Sequence, residues 1–156
     1  MKISDLIPLI KAENLTPDAE DKEITGGYCC DLLSWVMAHG GEGMAWVTVQ
    51  TNMNVIAVAL LNEMRCVILP ENIRPGADCL EKAKEEGMAV LVSPLSSYRI
   101  CGILYEYGVG DLDIVGRRGV VSGAELLTEL QRVTGADLNT LSTGDALCLI
   151  YCRNII

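Results

Sequence analysis

Apolar positions change their spacing several times along the chain, and each change marks an element. Ile3, Leu6, Ile7 and Ile10 recur at helical intervals with Ser4 or Asp5 available to cap. This predicts a short amphipathic helix over residues 4–13, ended by Asn14 and Pro17. Residues 22–25 read as a short extended stretch that runs into a Gly26-Gly27 turn. Asp31 then stands where a helix carrying Leu32, Leu33, Val36 and Met37 needs its cap, and His39-Gly40-Gly41 closes that helix.

The middle of the chain alternates more regularly. Residues 45–50, 66–69 and 89–93 are short, apolar and β-branched, as buried strands are. Between them lie helical patterns over residues 52–62 and 77–86, with Val55, Ile56, Ala59 and Leu60, then Leu80 and Ala83, on one face. A further helix is expected from about Ser96 to Tyr107, with Ile100, Cys101, Leu104 and Tyr105 inward and Gly108 as its stop. Strand and helix in alternation specify parallel strands joined by right-handed crossovers. From Gly110 the pattern changes: Ile114-Val115 and Val120-Val121 flank a Gly-Arg-Arg-Gly turn, Ser122 caps a helix, and residues 146–151 form an apolar run. The expected architecture is α/β: a mostly parallel central sheet with helices on both faces, plus a C-terminal strand-helix-strand extension. Residues 1–109 form the principal unit, and residues 110–156 an extension packed on it.

Composition narrows this picture. A chain of 156 residues supports one domain with a real core. Half of it is apolar, yet aromatic residues make up only 4% and Phe is absent, so Leu, Ile, Val, Ala and Met must build the interior. The formal net charge of −9, with Arg117-Arg118 as the only adjacent basic pair, argues against nucleic acid and anionic membrane as partners. The first twelve residues lack the apolar core and cleavage site of a signal peptide, and no apolar run reaches bilayer-spanning length. Seven cysteines at irregular spacing suit a reducing compartment. The expected location is the cytoplasm.

Ile24-Thr25-Gly26-Gly27-Tyr28, Asp31-Leu32-Leu33-Ser34, Val47-Thr48-Val49-Gln50-Thr51 followed by Asn54-Val55-Ile56-Ala57-Val58-Ala59, and Gly102-Ile103-Leu104-Tyr105-Glu106 follow one another in this order. Taken together these segments resemble the DRTGG domain family. The resemblance covers roughly residues 1–109. Of the family's name string only Thr25-Gly26-Gly27 survives, and nothing from Gly110 onward resembles the family. What the resemblance implies is a small α/β domain of regulatory or assembly role, acting as a homodimer, without established catalytic activity. Such domains stand alone beside iron-only hydrogenase genes or are attached to CBS-type regulatory domains and metabolic enzymes.

Candidate chemistry follows from the expected topology. Loops leaving the carboxyl ends of parallel strands converge on one crevice, where helix N-termini point unpaired N–H groups. Thr25, Gly26, Gly27, Gln50, Thr51, Asn54, Ser93 and Ser96 are the candidate ligand-binding residues there, suited to a nucleotide or other phosphate-containing small molecule. The same residue types also serve plain turns and caps, and no glycine-rich phosphate fingerprint is present. Cys29-Cys30, placed near a helix start, suggests the alternative of a thiol-based enzyme or redox protein, its thiol acidified by the helix dipole. A purely structural dimerisation domain is the third reading. Cys148 and Cys152 lie too far apart on a strand to share one ion. Asp111 and Asp113 lack a third ligand, and His39 suits a helix C-cap. No catalytic residue, metal or cofactor is therefore assigned. Trp35 is suited equally to a subunit interface and to the core.

Overall fold

The computed structural model describes residues 1–110. The C-terminal strand-helix-strand expectation, with Asp111, Asp113, Cys148 and Cys152, lies outside the described residues. Within them the order is α1 (Ile3–Leu9), β1 (Glu13–Asn14), β2 (Gly26–Cys29), α2 (Leu33–His39), β3 (Met44–Val47), α3 (Asn54–Leu61), β4 (Cys66–Leu69), α4 (Ala77–Glu85), β5 (Ala89–Val92) and α5 (Ser97–Glu106). One five-stranded sheet runs β1-β5-β4-β3-β2. Strands β2 to β5 are mutually parallel, and only β1 pairs antiparallel, on β5. The α/β class and the mostly parallel sheet are those the pattern predicts.

Strands β3, β4 and β5 are buried along their whole length, which is why they read as continuous apolar runs. Alternate residues divide between two cores. On one face Trp46, Val67, Leu69, Val90 and Val92 meet Val36 of α2, Val55 and Ile56 of α3, and Cys79 and Ala83 of α4. On the other, Ala45, Val47, Cys66, Ile68 and Leu91 meet Ile3 and Leu6 of α1 and Ile100 and Leu104 of α5. The three crossover helices thus share one face, as connections of a single hand require. Helix α5 leaves β5 for the opposite face and crosses back towards β2, where the Gly27 N–H donates to the Gly110 carbonyl at 3.1 Å.

Four expectations need correction. Gly26-Gly27 is not a turn after a strand: it begins β2, paired with Met44 and Ala45 at the start of β3. Asp31 does not cap α2, whose N-cap is Leu32. Tyr105 faces outward at 76% exposed, and Ile103 packs inward in its place. The first helix is also shorter than residues 4–13, because a two-residue strand at Glu13 pairs with Val92 immediately after it.

Candidate functional site

Because β2 to β5 are parallel, their carboxyl ends share one rim, and the loops there are tied to one another in sequence. Asp31, just beyond β2, accepts through Oδ1 from the Thr48 hydroxyl and the Val49 N–H, both at 2.8 Å, while its carbonyl accepts from Gln50 Nε2 at 3.2 Å. The Thr51 carbonyl beyond β3 accepts from the Gly76 N–H at the head of α4, at 3.3 Å. Beyond β4, the Glu71 and Asn72 N–H groups donate to the Leu95 and Ser93 carbonyls at 3.0 and 2.9 Å. Four loops from four strands therefore form one continuous wall.

Adjacent strands β4 and β5 send their chains to opposite faces, to α4 and to α5. Such a divergence opens a crevice outside the strand ends and is where ligands bind in open α/β sheets. Two features mark the spot. Glu71 and Asn72 are consecutive non-glycine residues in left-handed conformation, with φ of 53° and 59°, a costly arrangement of about 1 kcal/mol or more each. The amino end of α5 lies beside them, with Ser96 as N-cap accepting from the Arg99 N–H at 3.4 Å and with Arg99 exposed in the first turn. The loop of Pro70, Glu71 and Asn72 is one that the alternating pattern already brings to this crevice, but positive φ at two successive positions is not readable from residue types, and Arg99 was not a candidate on sequence grounds.

The sequence-derived candidates divide between the two rims. Gln50, Thr51, Asn54, Ser93 and Ser96 lie at the carboxyl rim. Thr25, Gly26 and Gly27 lie at the opposite, amino rim, because the strand starts at Gly26 rather than ending before it. Thr25 is exposed there, and its N–H donates to the Gly43 carbonyl at 3.0 Å. Ser93 is fully buried, with its hydroxyl donating to the Ile10 carbonyl at 2.6 Å and accepting from the Leu95 N–H, so it holds the loop rather than facing solvent. Gln50 Oε1 accepts from Asn52 Nδ2 at 3.1 Å, and Asn52 Oδ1 in turn accepts from the Asn54 N–H at 3.0 Å, fixing the entry to α3.

The cysteine pair departs from its expectation as well. Cys29 closes β2 and lies outside any helix, so no dipole acidifies it. Its thiol is pushed up, chiefly by the hydrogen bond it shares with Cys101 and then by burial and the negative charge of Asp31. Cys30 points to the opposite face. His39 Nδ1 pairs with the Trp35 carbonyl at 2.9 Å and its ring stacks on the Trp35 indole at 3.9 Å, a local helix-end role. Among the described residues no group of three or more His, Cys, Asp or Glu side chains is arranged to hold a metal ion, and no helix is long and apolar enough to cross a membrane.

No protein-family model and no curated protein matches the chain. Among solved structures the fold is similar to that of the CBS and DRTGG domains of the regulatory region of Clostridium perfringens pyrophosphatase, complexed with its activator diadenosine tetraphosphate. The match has a TM-score of 0.52 at 13% identity and covers 72% of this chain and 52% of that one. This chain thus spans about half the length of that structure. The likeness is one of fold, and it agrees with the DRTGG resemblance in the sequence.

Proposed function

We propose that the protein is a non-catalytic, ligand-responsive regulatory or assembly module that takes a nucleotide or related phosphate-containing molecule at the carboxyl rim. The observation that carries this reading is the divergence of β4 and β5 at the amino end of α5. There the first-turn N–H groups and the Arg99 guanidinium offer the positive pole and the forked donor that a phosphate needs. Gln50, Thr51, Asn54 and Ser96 line the same rim and supply the neutral hydrogen-bonding groups for a sugar or base. Asp31 and Glu71 add negative charge, which favours a ligand carrying its own divalent counter-ion. That a structure of similar fold was solved with a dinucleotide activator supports the class of ligand.

The exposed apolar residues Leu32, Trp35 and Val49, gathered near the end of β2 and β3, support a homodimer. Service to a hydrogenase or another metabolic enzyme system belongs to the same proposal and rests on the family resemblance. The alternative of a thiol enzyme built on Cys29 and Cys30 is not favoured, since Cys30 packs on the opposite face of the sheet and the lone histidine is engaged elsewhere.

Calorimetric and thermal-shift titration against adenine nucleotides, diadenosine polyphosphates and acyl phosphates, with and without magnesium, tests the reading. A ligand at one hundred times its Kd should stabilise the fold by about 2.7 kcal/mol. Arg99→Ala should weaken that ligand by about tenfold or more, the worth of a charge-assisted hydrogen bond. Silence across the panel, or affinity indifferent to Arg99, would remove the ligand half of the proposal.

A further inference from the structure

Helix α5 packs directly on β2: a Cβ at Gly27 would make an ordinary 3.6 Å contact with Leu104 Cδ1. Two residues along the strand on the same face comes Cys29, and three residues back along the helix on the same face comes Cys101. The two pairings are in register, Leu104 over Gly27 and Cys101 over Cys29, which sets the two thiols side by side and couples their ionisation. Cys29 is exposed and Cys101 half-buried, so a small reagent can reach the pair. Cys66 and Cys79 are buried in the two cores, and Cys30 packs on the opposite face of the sheet.

We propose that Cys29 and Cys101 form a thiol–disulfide exchange site whose oxidised form staples α5 to the end of β2. The Cys101 thiolate attacks one sulfur of a low-molecular-weight disulfide such as oxidised glutathione, forming a mixed disulfide and expelling one thiolate. Cys29 then loses its proton to solvent and attacks the Cys101 sulfur, expelling the second thiolate. The two protein thiols give up two electrons and two protons, and the small disulfide is reduced to two thiols. The roles follow from charge. Asp31 and the neighbouring Cys30 disfavour a thiolate at Cys29, whereas the Cys29 S–H donates to Cys101 and lowers its thiol to about 7. Two neighbouring sulfurs bond once they close to about 2 Å. The two reacting thiols are not among the residues proposed to bind the ligand, so the exchange site is tested separately from that reading.

The test is exposure of the full-length protein to oxidised and reduced glutathione mixtures, followed by peptide mapping of cross-links and adducts under non-reducing conditions. The expected product is a Cys29–Cys101 cross-link, with the other cysteines as internal competitors. Closing so long a loop should raise Tm by on the order of 10 °C, reversed by reductant. Cys29→Ser should accumulate a glutathione adduct at Cys101, and Cys101→Ser should abolish the cross-link. Alkylation of Cys101 in the unmodified protein should rise with a midpoint near neutral pH, well below that of the buried Cys66. A dominant linkage through any other pair, or equal adduct formation at all accessible thiols, would overturn the proposal. The cross-link map of the unmodified protein decides the question even if a serine variant fails to fold.

Discussion

A single carboxylate, Asp31, does the most to shape the candidate site. It accepts from the hydroxyl of Thr48, which is buried, and from the Val49 N–H, and so anchors the loop beyond β3 to the loop beyond β2. Asp31→Ala should lower stability by about 1–3 kcal/mol, since the Thr48 hydroxyl loses its acceptor in a place that water scarcely reaches. Asp31→Asn keeps an acceptor oxygen and should recover more than half of that loss in urea denaturation. An Asn variant as unstable as the Ala variant would show that charge, rather than the hydrogen bonds, holds the loop. This role was hidden in the sequence: an Asp two residues before Leu33 reads as a helix cap, and its actual partners lie 17 and 18 positions further on. Trp46 behaves similarly, being fully buried with its indole N–H donating to the Cys30 carbonyl at 2.9 Å.

Among the elements, β2 is the one whose residue types mislead. Glycine is depleted in strands and common in turns, so Gly26-Gly27 reads as a turn. In β2 Gly27 instead pairs with Ala45 of β3 and packs beside Leu104 of α5, contacts between residues far apart in the chain. The strand's start is held by the Thr25 N–H donating to the Gly43 carbonyl, with Gly43 at φ +84° and buried against the Thr25 hydroxyl. Gly87 at φ +67° has nothing near its Cβ position and serves as a control. Gly87→Ala should cost about 1 kcal/mol in backbone strain alone. Gly43→Ala should cost about 1–3 kcal/mol more, because the new methyl collides with Thr25. Adding Thr25→Ala should return part of the excess. Strict additivity of the two substitutions would mean that no collision occurs.

At the scale of the whole molecule, two surface carboxylates tie distant segments together. Glu13 of β1 pairs with Arg74 before α4, and Asp21 accepts from the Ser4 N–H and hydroxyl at 2.9 and 2.8 Å. Each is held below its ordinary value, 4.5 for Glu13 by the hydrogen bond from Arg74 and 3.8 for Asp21 by those from Ser4. A carboxylate with a depressed folded pKa contributes stability above its unfolded value and loses it as pH falls through the folded one. Tm should therefore decline as pH drops below those ordinary values. Asp21→Asn with Glu13→Gln should make the acid limb shallower in a calorimetric pH series. An unchanged limb would assign acid sensitivity to other groups. The class of fold was legible because burial on both faces writes itself into β3, β4 and β5 as uninterrupted apolar runs, and an amphipathic helix writes its period between them. Hydrophobic pattern is a local record of solvent exclusion, so it determined β3, β4 and β5 and the helices around them and implied that those strands run parallel, while β1 and β2 escaped it. It carries no information about which rim a residue reaches, since that depends on where a strand starts and on which face its neighbours cover. Only packing in three dimensions decided that Thr25-Gly26-Gly27 stands opposite Gln50 and Ser96, that β4 and β5 part company at Glu71, and that Cys29 meets Cys101.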